Sequence, residues 1–421
     1  VPPQRLVHSP SLGRAAAALL LASAVAPSLS DARPPPAPSA APTASAHDYR
    51  DNGYDYFVVG DPGAPRAAHT ELGLALMGGG GSVDEAFRFI ARRAGGGHIV
   101  VLGAAGDPGF DASDGKYGLG FAQRWGPVVS AETIIFHDRR AAFDPRVIAV
   151  LRGADGIFLM GGDQANYIRY WKGTPVQQML DAHVRAGRPI GGSSAGLAIL
   201  GQYSYGALDG GSMESRTALA DPFDPGVTLE ADFLHLPWME GVVTDTHFSQ
   251  RCRLGRLSAF VARLGADHPA QAILGIGVDE RTALLVDADG IGRIAAGSSG
   301  SAWLLMPGKP ARTLIKGQPL SIEDLRVLRV DQGGSIDLRT HAVAHASAET
   351  SVSIDHGKLT QESIASPIFL RASAPADESR RDDGRRHYAR AGAGRREAGR
   401  PRQATASLAQ RARAALVSSA G

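Results

Sequence analysis

The stretch Ile190-Gly191-Gly192-Ser193-Ser194-Ala195-Gly196-Leu197 sets hydroxyl groups among small residues. Gly192, Ser194 and Gly196 fit the G-x-S-x-G spacing. In that pattern a serine on a sharp strand-to-helix turn is held exposed, and the first N–H groups of the following helix face a developing oxyanion. A turn with no chemistry is the competing reading. An activated serine needs a base. Among thirteen histidines, His247 fits best, because it ends the apolar run from Val242 and so belongs at a strand's carboxyl end. A histidine satisfied by a backbone carbonyl is the alternative there. A carboxylate on the far ring nitrogen would set the imidazole tautomer.

Arg251, Arg253 and Arg256 follow His247. Their forked donors suit a substrate carboxylate. At about 100° per residue, Arg256 falls opposite the Leu254, Leu257, Val261 stripe, so a solvated face is its rival role. Cys252, the one cysteine, lies between two arginines that would lower its pKa, but it sits in a helical pattern with no turn motif and reads as a packed helix residue. His341 and His345 are four apart with no nearby acid and no helical pattern, which argues against a metal site.

The elements that would hold these residues alternate. Leu72 to Met77 reads as a buried strand ending in Gly78-Gly79-Gly80-Gly81. That loop lacks the spacing of a dinucleotide fingerprint, and a phosphate cradle is not expected. Ser82 and Glu85 form a capping box before a helix with Phe87 and Ile90 on its buried face. His98 to Gly103, Glu132 to Phe136 and Gly156 to Met160 read as strands; Asp144 to Leu151 and a segment begun by Thr174-Pro175 read as helices. On the latter, His183 falls on the inner face. Such alternation predicts an α/β fold with a doubly wound, mostly parallel sheet. Ligands then bind outside the strands' carboxyl ends, where the glycine loops after Met160 and Ile190 should lie side by side.

Composition bounds the rest. The formal net charge of +2 gives no sign of a nucleic-acid partner. A single cysteine leaves no internal disulfide. Arg5 and Arg14 precede an apolar run, Ala15 to Ala26, too short to span a bilayer and followed by small residues; residues 1–32 read as an export signal. Residues 371–421 are rich in arginine and poor in apolar side chains, and read as a disordered tail.

Three motifs, taken together, carry a resemblance. Gly161-Gly162-Asp163-Gln164, then Gly192-Ser193-Ser194-Ala195-Gly196, then Asp245 through Leu257 stand in the order and approximate spacing of the cyanophycinase and dipeptidase E family of serine peptidases. Gly275-Ile276-Gly277-Val278-Asp279-Glu280 is similar as well, and Val83 to Arg88 resembles the exported cyanophycinase-like branch. The resemblance implies an α/β fold related to class I glutamine amidotransferases. It implies Ser194 as nucleophile, His247 as base, and the backbone N–H groups around Gly162 and of Ala195 as the oxyanion hole. It implies Gln164, Asp245, Arg251, Arg253 and Arg256 as substrate-binding positions. For the orienting acid, sought between the serine and the histidine, Glu214 is the candidate, with Asp209 and Asp221 behind it. Two departures fall beside the histidine: Thr246 stands where cyanophycinases have glutamine, and Cys252 where glycine or a polar residue is usual.

The expectation is a serine-type peptidase that cleaves peptide or isopeptide bonds next to aspartate through an acyl-enzyme on Ser194. An α/β-hydrolase-type esterase and a catalytically silent binding protein are the rivals. The expected partner is a peptide, cyanophycin or an Asp-containing dipeptide, with a homodimer as the expected assembly. Neither cofactor, metal, nucleic acid nor membrane is implied, and the location is periplasmic or extracellular. The organisation expected is a signal over 1–32, a linker over 33–66, the peptidase domain over 67–290, a β-rich segment over 291–370 and the tail over 371–421.

Overall fold

A computed structural model describes residues 45–104 and 115–360; the expected export signal and arginine-rich tail lie outside them. The strands, in chain order, are β1 (Ser45–Tyr49), β2 (Tyr54–Gly60), β3 (Leu74–Met77), β4 (His98–Ala104), β5 (Ser130–Phe136), β6 (Gly156–Leu159), β7 (Ile190–Ser193), β8 (Ser204–Tyr205), β9 (Leu229–Glu230), β10 (Val242–Asp245), β11 (Leu274–Val278), β12 (Ala283–Val286), β13 (Ile291–Ile294), β14 (Ala302–Pro307), β15 (Ile322–Val330), β16 (Ser335–Asp337), β17 (Ala342–Ala344), β18 (Ala348–Asp355) and β19 (Lys358–Thr360). The helices are α1 (Asp84–Arg93), α2 (Gly115–Gly120), α3 (Pro145–Gly153), α4 (Gln164–Trp171), α5 (Pro175–Arg185), α6 (Ala195–Ala198), α7 (Ser215–Ala220) and α8 (Leu254–Asp267).

Among the described residues the main sheet runs β1-β2-β5-β4-β6-β7-β3-β12-β13-β16-β17. Its centre, β5-β4-β6-β7-β3, is parallel, and both flanks are antiparallel. The central strands carry unbroken apolar runs because both faces are covered. Val100 and Leu102 of β4 point into one cluster with α3, α4 and α5, while Ile99 and Val101 point into another with Phe87 and Ile90 of α1. Burying each such side chain contributes about 1.5–3 kcal/mol. A second sheet, β10-β11-β14-β15-β18-β19, shares the first cluster through Leu274, Ile276, Leu304 and Leu328, and packs α8 on its other face through Leu257, Phe260 and Val261.

Several expectations change here. The fold is α/β, but the parallel core is one part of a mixed sheet, and β10, the strand leading to His247, belongs to the second sheet. Residues 291–360 are strand-rich as expected, and their strands are shared between both sheets: β13, β16 and β17 extend the main sheet, and β14, β15, β18 and β19 extend the second. The expected linker contains β1 and β2, which close the main sheet beside β5. The capping box is not formed. Val83 is the N-cap of α1, without a side-chain bond, and the carboxylate of Asp84 instead accepts from Arg124 and Trp125. Asp144 does cap α3, accepting the Arg146 N–H at 2.8 Å with Pro145 in the first turn.

Candidate active site

The loop after β7 bends back at Ser194, whose φ of 53° and ψ of −116° lie outside the ordinary basins for an L-residue. Such a conformation costs about 1–3 kcal/mol and persists where its surroundings enforce it. The flanking glycines do so. A Cβ on Gly192 would sit 2.4 Å from the Gly196 carbonyl oxygen, and one on Gly196 would sit 2.3 Å from that of Leu159. The bend leaves Ser194 partly accessible and buries Ser193. α6, which follows, is one turn long and begins at Ala195.

Ser194 Oγ lies 2.7 Å from His247 Nε2, and His247 Nδ1 lies 2.6 Å from Glu280 Oε1. His247 is 5% exposed. Burial, and then the Arg251 guanidinium, lower its pKa to about 4 against the opposing hydrogen bond from Glu280. The imidazole is therefore neutral near pH 7 and able to accept a proton.

Glu280 replaces Glu214 as the carboxylate beside the histidine. Glu214 is half exposed at the start of α7 and faces Arg216. The reason is topological. β10 and β11 are parallel neighbours with Asp245 opposite Gly277, so the turns that follow them carry His247 and Glu280 to the same point. The acid comes after the histidine in the chain, not between serine and histidine. Its signal was the pair Asp279-Glu280 at the end of an apolar strand.

The glycine loop after β3 has a role that spacing did not reveal. The carbonyls of Met77, Gly78 and Gly79 accept, in turn, the N–H groups of Ser194 (3.0 Å), His247 (2.8 Å) and Arg281 (2.7 Å). Gly79 has φ of +93°, and a Cβ there would sit 2.6 Å from His247 Cε1 and Nε2 and 2.9 Å from Ser194 Cβ. A Cβ on Gly80 would sit 2.5 Å from Glu280 Oε2. The loop is thus the common backing of all three side chains.

The expected pocket residues divide. Asp245, Arg253 and Arg256 form an internal cluster and do not line the site as donors to a substrate. Arg256 is 2% exposed and grips Asp245 through Nε at 2.8 Å and an Nη at 2.5 Å, while its other Nη donates to Ser212 Oγ and the Met213 carbonyl. Arg253 donates to the Thr246 carbonyl and Oγ1, both at 2.9 Å, and to Ser212 Oγ. Thr246 is therefore a ligand of Arg253. Burial alone would raise the Asp245 pKa, but Arg256 and Arg253 together hold it below the usual carboxylate range. The solvated face that was the rival role for Arg256 is covered by residues 212–215. Arg251, by contrast, is exposed and close enough to depress His247. Gln164 opens α4 just after Gly161 and Gly162, partly exposed, at the carboxyl end of β6 beside β7. From those two strand ends, Gly161 approaches Ser194, since a Cβ on it would sit 3.4 Å from Ser194 Cβ; Gly162, with φ of +138°, follows it, and Ala195 follows Ser194 at the start of α6.

Cys252 lies in the turn before α8 with φ of +50°, not in the helix, and its carbonyl accepts from Ser215 Oγ. His183 faces the core as expected: its Nε2 meets the Pro189 carbonyl at 3.0 Å. Among the described residues no cluster of three or more His, Cys, Asp or Glu side chains could hold a metal, and no helix is long and apolar enough to cross a membrane.

Comparison with known proteins gives the relatives of the chain. Residues 135–294 match the model of peptidase family S51. The chain is 32% identical over 223 residues to the cyanophycinase of Synechococcus elongatus, a match covering 52% of this chain and 63% of that one. It is 30% identical over 230 residues to the cyanophycinase of Trichormus variabilis, covering 51% of this chain and 67% of that one. A solved peptidase from an acI-B1 Actinobacterium superposes with a TM-score of 0.44 at 19% identity, over 64% of this chain and 98% of that one. The chain thus spans less than two thirds of the first relative's length. The second match reaches two thirds of its relative at 30% identity, and on it, with the family model, the chain belongs to peptidase family S51.

Proposed function

We propose that the protein is a serine-type hydrolase of peptide or isopeptide bonds next to aspartate, acting through an acyl-enzyme on Ser194. The observation that carries this reading is the continuous chain Ser194 Oγ–His247 Nε2–His247 Nδ1–Glu280 Oε1, at 2.7 and 2.6 Å, on a neutral, buried imidazole. His247 takes the Ser194 proton as Oγ attacks the scissile carbonyl. The Ala195 N–H and the N–H groups around Gly162 receive the oxyanion. His247 returns the proton to the leaving amine, and then activates water against the acyl-enzyme. Glu280 holds the imidazole in the tautomer that leaves Nε2 free to accept.

Substrate choice rests on Arg251. Of the three arginines after His247 it alone is an exposed residue, the other two being tied down inside the cluster, so it is the one that can fork onto an aspartate carboxylate beside the scissile bond. Cyanophycin is the first candidate substrate, since cyanophycinases stand among the relatives of this chain. Export to the periplasm or beyond belongs to the same proposal, on the basic and apolar leader, and a homodimer is its expected assembly. The test is turnover of cyanophycin, β-aspartyl dipeptides and Asp-Xaa dipeptides by the unmodified protein and by Ser194→Ala. The expected result is hydrolysis of at least one by the former only, with ligand binding retained by the variant. Equal rates for the two proteins would sink the proposal.

A further inference from the structure

Residues 248–250 and 278–280 run side by side just past the paired ends of β10 and β11. The Phe248 N–H donates to the Val278 carbonyl at 3.1 Å. The Ser249 N–H and O–H donate to Asp279 Oδ1 at 3.0 and 2.5 Å. The Glu280 N–H donates to Gln250 Oε1 at 2.9 Å. Three successive residues of one turn are thus tied to three successive residues of the other, and the ties end where Glu280 meets His247.

Asp279 is the charged member of this set. It is 4% exposed. Its Oδ2 also accepts the Ser301 N–H at 3.0 Å, and both oxygens lie 3.2 Å from Trp303 Nε1. Four donors from two segments, the turn at Ser249 and the start of β14 around Ser301 and Trp303, converge on it, and none of them is a cation. Burying a carboxylate without a cation is costly unless such donors are fixed in place. An amide cannot substitute. It offers one acceptor oxygen and adds two N–H donors, which would face donors. Glu280, by comparison, is more exposed than His247 and sits on a turn, so its placement depends on the backbone beneath it. We infer that Asp279 is a positioning residue, acting through Glu280 to fix the carboxylate against His247. This rests on the hydrolase reading.

The test uses a fluorophosphonate, which needs no knowledge of the substrate. Ser194 Oγ displaces fluoride at phosphorus and its proton passes to His247, so the labelling rate reads the competence of the triad. Asp279→Asn is expected to slow labelling about 100-fold, the loss that follows a displacement of roughly 1 Å. In a Glu280→Gln background the same substitution is expected to change the rate less than about threefold, since residues acting as a unit are non-additive. Far-UV circular dichroism and a thermal melt establish that each variant is folded. If Asp279→Asn fails to fold, Ser249→Ala takes its place, with an expected slowing of about tenfold that also vanishes beside Glu280→Gln. Equal slowing in both backgrounds, or no slowing in a folded single variant, overturns the inference. Failure of Ser194 to label in the unmodified protein overturns the hydrolase reading, and this inference with it.

Discussion

His247 has its pKa lowered to about 4, mainly by burial. A general base with that value stays deprotonated well into acid. The acid limb of kcat/KM is therefore expected between pH 4 and 5, far below the value of about 6.5 for a free histidine. A pH–rate profile already falling at pH 6.5 would contradict it. Glu280→Gln is expected to lower kcat about 10⁴-fold by favouring the wrong tautomer. Glu214→Gln should leave kcat within about twofold, as surface substitutions do. Steady-state kinetics on the two variants distinguishes the carboxylates. Gly79→Ala, which forces a Cβ to 2.6 Å from the imidazole at a φ of +93°, is expected to cost 100-fold or more in kcat. Ser194 and His247 were legible because each ends a strand-like run in a motif with its own spacing. Glu280 was visible as a residue but not as a partner, because adjacency of β10 and β11 is a fact of the sheet. Gly79 was legible only as a turn: what it touches is remote in the chain.

The cluster beneath the site joins β10 to α8 through Asp245, Arg256 and Arg253. Asp245→Ala would leave two buried guanidinium groups without their anion. It is expected to destabilise the fold by about 3–5 kcal/mol, measured by urea unfolding. A cost under 1 kcal/mol would mean that solvent reaches the cluster. Helical periodicity placed Arg256 opposite the apolar stripe correctly. It did not see that residues 212–215 cover that face, because coverage of a polar face by another segment leaves no trace in the helix's own pattern. Helix starts show the same division. The helix from Asp144 was readable as a helix, and its cap bond is local; Thr174 stands at the N-cap of α5 as read, without a side-chain cap bond. Ser82 failed because the helix begins one residue later than the box requires, after Val83, and Asp84 in its first turn is engaged by Arg124 and Trp125.

Neither sheet is complete before the last described strands are added. Alternating strands and helices made the parallel core legible, yet the β-rich run after residue 290 looked separable because its strands are short and turn-rich. They pair with strands that precede residue 290: β13 with β12, and β14 with β11. A chain ending at residue 290 would expose Leu274, Ile276 and Leu284, which now share a cluster with Leu304, Leu328 and Ile336. Such a truncation is expected to aggregate or remain unfolded by circular dichroism. A cooperative melt from it would restore the boundary.

Packing on this scale also sets how stability responds to acid. His183, between α5 and the main sheet, has its pKa lowered to about 4 by burial, with Arg188 and Arg66 adding to the effect. Its Nδ1 has no hydrogen-bond partner, so the fold offers nothing to a second proton there. His247 is lowered to about 4 as well. In the unfolded chain both return to about 6.5. Between pH 6.5 and 4 the unfolded state therefore binds about two more protons at these two sites than the folded one does, and their contribution to stability rises with pH across that window. The stability these two groups permit is fully present above pH 6.5. It is lost as pH falls towards 4, at up to about 2.7 kcal/mol per pH unit. Only below the ordinary carboxylate range do Asp155 and Asp245, both held low in the fold, add losses of their own. Urea unfolding at pH 7.5, 6.5, 5.5 and 4.5 reads this directly. His183→Gln, which removes one of the two titrations, should roughly halve the slope whatever it does to the intercept. A flat profile from pH 6.5 to 4.5 would mean that neither imidazole is excluded from protonation by the fold, and the base assigned to Ser194 would lose its electrostatic basis.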